Sequence, residues 1–129
     1  MGGCCVDCWS RTQTVYAISS AEAEYIAICL AAQRTLGVQT LLRELGMPME
    51  ITIYSDSQGA MLSAGKPGLL HMRHMELRWL FLKDLVAQKI ITLKRVTSEN
   101  NVADLLTKAL GSRDLERLLS LCTWWKRVW

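Results

Sequence analysis

Ile51-Thr52-Ile53-Tyr54-Ser55-Asp56-Ser57-Gln58-Gly59-Ala60 constrains this chain more than any other stretch. Ile51 to Ser55 is a run of β-branched and aromatic residues behind Gly46 and Pro48, which predicts a strand. Asp56 falls where that strand ends, and a short helix, about Ser57 to Ser63, follows before Gly65-Lys66-Pro67-Gly68 breaks it. In α/β proteins chemistry collects at the carboxyl ends of strands, so an acid there is a candidate for metal or proton work. Asp56 or Ser57 would equally serve as the N-cap of the next helix.

Upstream, Ser19-Ser20-Ala21-Glu22 has the capping-box pattern, and the helix it opens runs from about Ala21 to Leu45, stopped by Gly46 and Pro48. Gly37 is a weak point within it. Glu22 is accounted for by the cap and the helix dipole. Glu24 is not. Steps of three and four from Glu24 reach Ala27, Ile28, Ala31 and Ala32, a small apolar face suited to packing on a sheet. A carboxylate on that face is either a rim residue bending to solvent or an acid held for a purpose. Trp9 to Ile18 (WSRTQTVYAI) is rich in strand formers and predicts a strand before this helix.

Downstream, Leu70 to Gln88 has helical periodicity, with Leu77, Leu80, Phe81 and Leu85 as the expected core stripe. Arg73, His74, Arg78 and Lys83 decorate its other sides, as a solvated face or a phosphate-binding one. His71 and His74 have ligand spacing but no third ligand nearby in sequence. Ile90 to Val96 predicts another strand, Ser98 to Asn101 a turn, and Asn101 an N-cap that puts Asp104 at the third position of a helix. Leu105, Leu106, Leu110, Leu115, Leu118 and Leu119 continue an apolar pattern past Gly111. The tail Trp124-Trp125-Lys126-Arg127-Val128-Trp129 mixes aromatics and cations, which suits base stacking or burial in a neighbour.

Composition narrows the classes. In 129 residues, half of them hydrophobic and 21% charged, there is material for one core, and disorder is excluded. A net charge of +3 permits a polyanionic partner without demanding one. The five cysteines, three of them at Cys4, Cys5 and Cys8, do not form a secreted disulfide framework. Cys5-Val6-Asp7-Cys8 has the spacing of a zinc or redox pair but no second pair, and reduced intracellular thiols are the expectation. No uncharged apolar run approaches the roughly 20 residues of a membrane span, and no signal-peptide pattern opens the chain, so no membrane partner is expected.

Five motifs in order, over residues 9 to 110, resemble the ribonuclease H-like domain of copia-type (LTR) retrotransposon Pol polyproteins. Trp9-Ser10-Arg11-Thr12-Gln13 resembles the family's W-S-[SR]-[KT]-Q. Ser19-Ser20-Ala21-Glu22-Ala23-Glu24-Tyr25-Ile26-Ala27 is similar to S-[ST]-x-E-A-E-Y-x-A, and Ile53 to Ala60 to I-x-x-D-[NS]-Q-[SG]-A. Arg73-His74-Met75-Glu76-Leu77-Arg78 resembles K-H-I-[DE]-[IL]-[KR]. Ala103-Asp104-Leu105-Leu106-Thr107-Lys108 resembles A-D-[IL]-[LF]-T-K. The resemblance implies hydrolysis of the RNA strand of RNA–DNA hybrids during reverse transcription, by an acidic quartet holding two Mg²⁺ ions. Glu24, Asp56 and Asp104 match its last three members. Carboxylate oxygens suit hard cations about 3.5–4 Å apart. Ser57, Gln58, Lys66, Arg73, His74 and Arg78 would contact the nucleic acid, and neighbouring reverse transcriptase and integrase segments of the same polyprotein would be partners. The parent element would work in a cytoplasmic virus-like particle or the nucleus.

The family's fold begins with two antiparallel strands, the first of which is central and carries the first Asp. Eight residues precede Trp9, and two strands with their turns need roughly 15–20. The expectation is an α/β, ribonuclease H-like fold that is incomplete. Residues 1–110 form an amino-terminally truncated domain and 111–129 an amphipathic, aromatic tail. Lacking one ligand, the chain is expected to be inactive or nearly so. The alternative is a relic that binds nucleic acid, or another protein, without cutting.

Overall fold

The computed structural model describes residues 5, 7–14, 16, 17, 19–57 and 73–122, with side chains in the second long helix from residue 77 onward. The expected helix at 57–63 and the tryptophans of the tail lie outside the described residues, as do His71, Gln58, Lys66 and the side chains of Arg73 and His74. The chain divides into two compact units, residues 15–95 and residues 96–129 together with 1–14.

The first unit is a β-α-β arrangement with one helix in front of it. Helix α1 spans Ser20–Glu44, strand β1 Ile51–Ser55, helix α2 Arg73–Ala87 and strand β2 Ile91–Arg95. The capping expectation is met: the Ser19 hydroxyl accepts from the Glu22 N–H at 3.2 Å. The helix runs unbroken through Gly37, because one glycine costs about 1 kcal/mol and twenty-five residues of hydrogen bonding and packing outweigh it. It ends in a Schellman turn. Gly46, at φ 73°, donates to the Arg43 carbonyl at 3.0 Å, and Met47 to that of Leu42 at 2.8 Å. The end of α2 has the same hydrogen bonds, Lys89 to Val86 and Ile90 to Leu85. Here the left-handed residue is Lys89, at φ 56°.

β1 and β2 pair in parallel, Ile51 opposite Ile91 through Ser55 opposite Arg95. A parallel pair requires a crossover, which residues 56–90 supply, with α2 inside it. Alternation along the strands separates two faces. Ile51, Ile53, Ile91 and Leu93 join Tyr25, Ile26, Ile28, Cys29 and Ala32 of α1 and Leu82 and Leu85 of α2 in one core. Thr52, Tyr54, Thr92 and Lys94 on the other face are exposed. By length and composition alone α1 could cross a membrane, against the expectation from its sequence. Tyr25, Ile26, Ile28, Cys29 and Ala32 are buried in this core, while Ala27 and Leu41 are exposed.

Two sequence expectations are overturned. None of the described residues from 9 to 18 is in a strand, and Tyr16 is 97% exposed. Strand propensity needs a neighbouring ladder to be realised, and among the described residues the sheet has only β1 and β2. The core stripe of α2 is also rotated from the one expected. Leu85 is buried and Phe81 partly buried, as expected, but Leu77 and Leu80 are exposed, and Leu82 is buried instead. Periodicity identified the helix, but its leucines surround it widely enough for more than one face to qualify. Contact with α1 and β2 selects the face.

In the second unit a 3₁₀ turn, Ser98–Asn100, leads to the one-turn helix α3, Asp104–Thr107, and to α4, Ser112–Leu121. Leu118 is buried, while Leu106, Leu115 and Leu121 are exposed. Arg117 reaches Asp114 at 2.8 Å and Glu99 at 3.9 Å, tying α4 to the 3₁₀ turn.

Candidate carboxylate site

Asp56 follows directly on β1. Ser55, just before it, is buried, and its hydroxyl accepts from the Ser57 N–H at 3.2 Å. That hydrogen bond turns the chain as it leaves the strand, so Asp56 and Ser57 stand half-buried at the strand's carboxyl end. The side-chain alternation that made the strand legible therefore also fixes the place of the acid.

Glu24 lies one turn into α1 and is exposed. The face counted from it is only partly a packing face: Ile28 and Ala32 are buried, Ala31 is half-buried and Ala27 is exposed. The core face is centred instead on Tyr25, Ile28, Cys29 and Ala32. Glu24 thus borders the core, as a rim residue does. Its neighbours Tyr25 and Cys29 bind α1 to α2. The Tyr25 hydroxyl donates to the Trp79 carbonyl at 3.3 Å and the Cys29 thiol to the Arg78 carbonyl at 3.6 Å. Burial pushes the Cys29 thiol up to about 11, against the opposing pull of the Arg78 guanidinium, and burial raises the Tyr25 phenol as well. These two polar core residues were not singled out in the sequence. Their spacing of four along α1 was the available signal.

Asp104 belongs to the second unit. It is the first residue of α3, not the third, because the chain spends residues 98–103 on the 3₁₀ turn and the bend after it. Asn101 does not cap the helix. Its side-chain oxygen accepts from the Ala103 N–H at 3.3 Å, and Ala103 holds the cap position without a side-chain bond. Asp104 is 8% exposed, and its Oδ2 receives the Lys108 ammonium at 2.8 Å. The Asp-to-Lys spacing within Ala103 to Lys108 is therefore an ion pair across one helical turn.

Of the expected nucleic-acid contacts, Arg78 is half-buried. It has one guanidinium nitrogen in the interior that meets no partner among the described residues, and its charge lies near Cys29. Lys83 is exposed and sits over the Trp79 ring at 4.6 Å. Cys5 and Cys8 are exposed free thiols.

Carboxylate oxygens are the right donors for a hard divalent cation. Neither unit, among its described residues, contains a group of three His, Cys, Asp or Glu placed to hold one. At Asp104 one oxygen is already taken by Lys108. The donor chemistry of Glu24, Asp56 and Asp104 fits magnesium.

A parallel strand pair backed by helices, with an acid at a strand's carboxyl end, defines an α/β unit of the kind that places polar chemistry at that end. Among known proteins the chain is similar to segments of retrovirus-related Pol polyproteins. It is 30% identical over 110 residues to that of transposon TNT 1-94 from Nicotiana tabacum, covering 83% of this chain and 8% of the polyprotein. It is 30% identical to that of transposon RE2 from Arabidopsis thaliana, covering 79% of this chain and 7% of the polyprotein. With that of transposon RE1, also from Arabidopsis thaliana, the identity is 28%, over 86% of this chain and 8% of the polyprotein. Each similarity is to a segment of a Pol polyprotein, and the chain spans less than a tenth of the relatives it matches. No family model matches it, and no solved structure does.

Proposed function

We propose that this chain is the ribonuclease H-like segment of a copia-type Pol polyprotein and that its ligand is an RNA–DNA hybrid. The observation that carries this reading is Asp56 at the carboxyl end of a core strand, inside a chain similar to Pol polyproteins over most of its length. Glu24, Asp56 and Asp104 are the proposed magnesium ligands. Bound magnesium would neutralise phosphodiester charge and lower the pKa of an attacking water. The chain's own contribution is positional. β1 holds Asp56 at the strand end, the Ser55–Ser57 hydrogen bond fixes the turn there, and α1 carries Glu24 at the margin of the same core. Recognition of the hybrid would rest on phosphate contacts and on the 2′-hydroxyls of the RNA strand.

A second reading, binding without cleavage, is favoured by the Asp104–Lys108 ion pair and by the lack of a three-ligand group within either unit's described residues. One experiment separates the two. A labelled RNA–DNA hybrid is incubated with the folded chain in Mg²⁺ and in chelator, beside an Asp56→Asn variant, and both binding and cleavage are scored. Chelator-sensitive cutting lost in Asp56→Asn supports the nuclease. Hybrid binding without cutting supports the second reading. No binding at low salt overturns both.

A further inference from the structure

We propose that Cys5 and Cys8 are a redox modification site, a dithiol that a low-molecular-weight disulfide such as oxidised glutathione converts reversibly to an intramolecular Cys5–Cys8 disulfide. The site uses none of the proposed magnesium ligands and stands independently of the nuclease reading. The two cysteines have the C-x-x-C spacing, and both are exposed free thiols. Residues 5 and 7–13 lie in no helix or strand, so closing the small ring between the two sulfurs breaks no ladder of hydrogen bonds. The Cys5 Sγ donates to the Asp7 carbonyl at 3.5 Å, which turns the thiol back along the chain over the residues that lead to Cys8. Cys8 is its side-chain hydrogen-bonding neighbour.

A third sulfur comes from the far end of the chain. Cys122 holds the C-cap of α4, in the same compact unit as residues 1–14. Partial burial and the neighbouring Cys8 and Cys122 sulfurs raise the Cys5 thiol above its ordinary 9.0, and a sulfur acts in this way only at short range. Among the described residues no three ligands are placed to hold a metal ion, so exchange with a disulfide is the chemistry this cluster supports. Cys8 is the partner of Cys5 rather than Cys122, because it is the hydrogen-bonding neighbour and because the shorter loop costs less entropy to close. In the reaction one cysteine thiolate attacks a sulfur of the small disulfide and expels one thiolate. The second cysteine gives its proton to solvent and attacks the mixed disulfide, expelling the other. Two cysteine thiols lose two electrons, and one small disulfide is reduced to two thiols that take up the two protons.

The test equilibrates the full 129-residue chain in buffers of reduced and oxidised glutathione, quenches with acid, alkylates the remaining thiols and reads tryptic peptides by mass. Cleavage after Arg11 and Arg117 separates the peptide holding Cys4, Cys5 and Cys8 from the one holding Cys122. The expected product is the amino-terminal peptide with two hydrogens lost and a single alkylated cysteine, reversed by excess reduced glutathione. Cys4→Ser and Cys122→Ser should keep that internal bridge, and Cys5→Ser or Cys8→Ser should abolish it. The same equilibration in urea should shift the balance toward the dithiol, because the folded unit holds the two sulfurs together. Absence of the bridge, its loss in Cys4→Ser, or a bridge to the Cys122 peptide in its place overturns the proposal. An equal balance in native buffer and in urea also overturns it, because the bridge would then be a property of the local sequence and not of the fold.

Discussion

Raising the pH above 9 should destabilise this chain through one buried thiol. Cys29 is held between α1 and α2, its Sγ on the Arg78 carbonyl, and burial moves it from an ordinary 9.0 to about 11. Below pH 9 the thiol is protonated in both folded and unfolded chains and has no effect on their balance. Between 9 and 11 the unfolded chain releases that proton while the folded chain keeps it, so stability falls as pH rises. Each pH unit in that window removes about 1.4 kcal/mol, and the whole window about 2–3 kcal/mol. Against a domain stability of roughly 5–15 kcal/mol this is a large fraction. Tyr25, also raised by burial, acts in the same direction above its ordinary 10.0. The measurement is urea unfolding at pH 8, 9 and 10 under reducing conditions, followed by circular dichroism, for the native chain and Cys29→Ala. The variant should lose a constant increment for its missing sulfur, yet its stability should decline less between pH 9 and 10. Parallel pH curves for the two proteins would refute the reasoning.

Leu82→Ala opens a cavity at a fully buried position where α2 meets the core and should cost about 2–5 kcal/mol, read as a lower urea midpoint with an unchanged slope. Lys89→Gly relieves a left-handed backbone at a Schellman turn and should raise stability by about 1 kcal/mol; a lower melting temperature would show that the Lys89 side chain has a role of its own. Lys108→Ala should cost no more than about 1 kcal/mol, because the lysine of its ion pair is half-exposed and screened. The same change frees an Asp104 oxygen, so any divalent-cation binding, followed by calorimetry, should tighten and not weaken.

The fold's local features were legible because local physics writes them. The capping box at Ser19 and the left-handed glycine at Gly46 bound α1 within a residue of where the sequence placed it. β-branched runs marked β1 and β2, and the acid at the strand end was identified from that boundary alone. What failed depended on neighbours. Trp9 to Ile18 has strand composition, but a strand is stable only against another strand, and propensity cannot say whether one is there. Leu77 and Leu80 fit a helical stripe with Leu85 as well as Leu82 does, and only packing against α1 and β2 separates the alternatives. Asn101 had the chemistry of an N-cap, but the preceding 3₁₀ turn moved the helix start past it.

The same division runs through the candidate site. Sequence by itself determined which residues are candidates for chemistry: the carboxylates Glu24, Asp56 and Asp104, their order along the chain, and the attachment of Asp56 to a strand end. Those depend on side-chain identity and on hydrogen bonds between near neighbours. Tertiary structure decided what surrounds each one. It set Glu24 at an exposed margin, engaged Asp104 with Lys108, and buried Tyr25 and Cys29 between two helices. It also set Tyr54 opposite Lys94 through the parallel register of two strands distant in sequence. Burial, desolvation and cross-strand pairing are properties of groups brought together from afar, and one-dimensional spacing does not encode them.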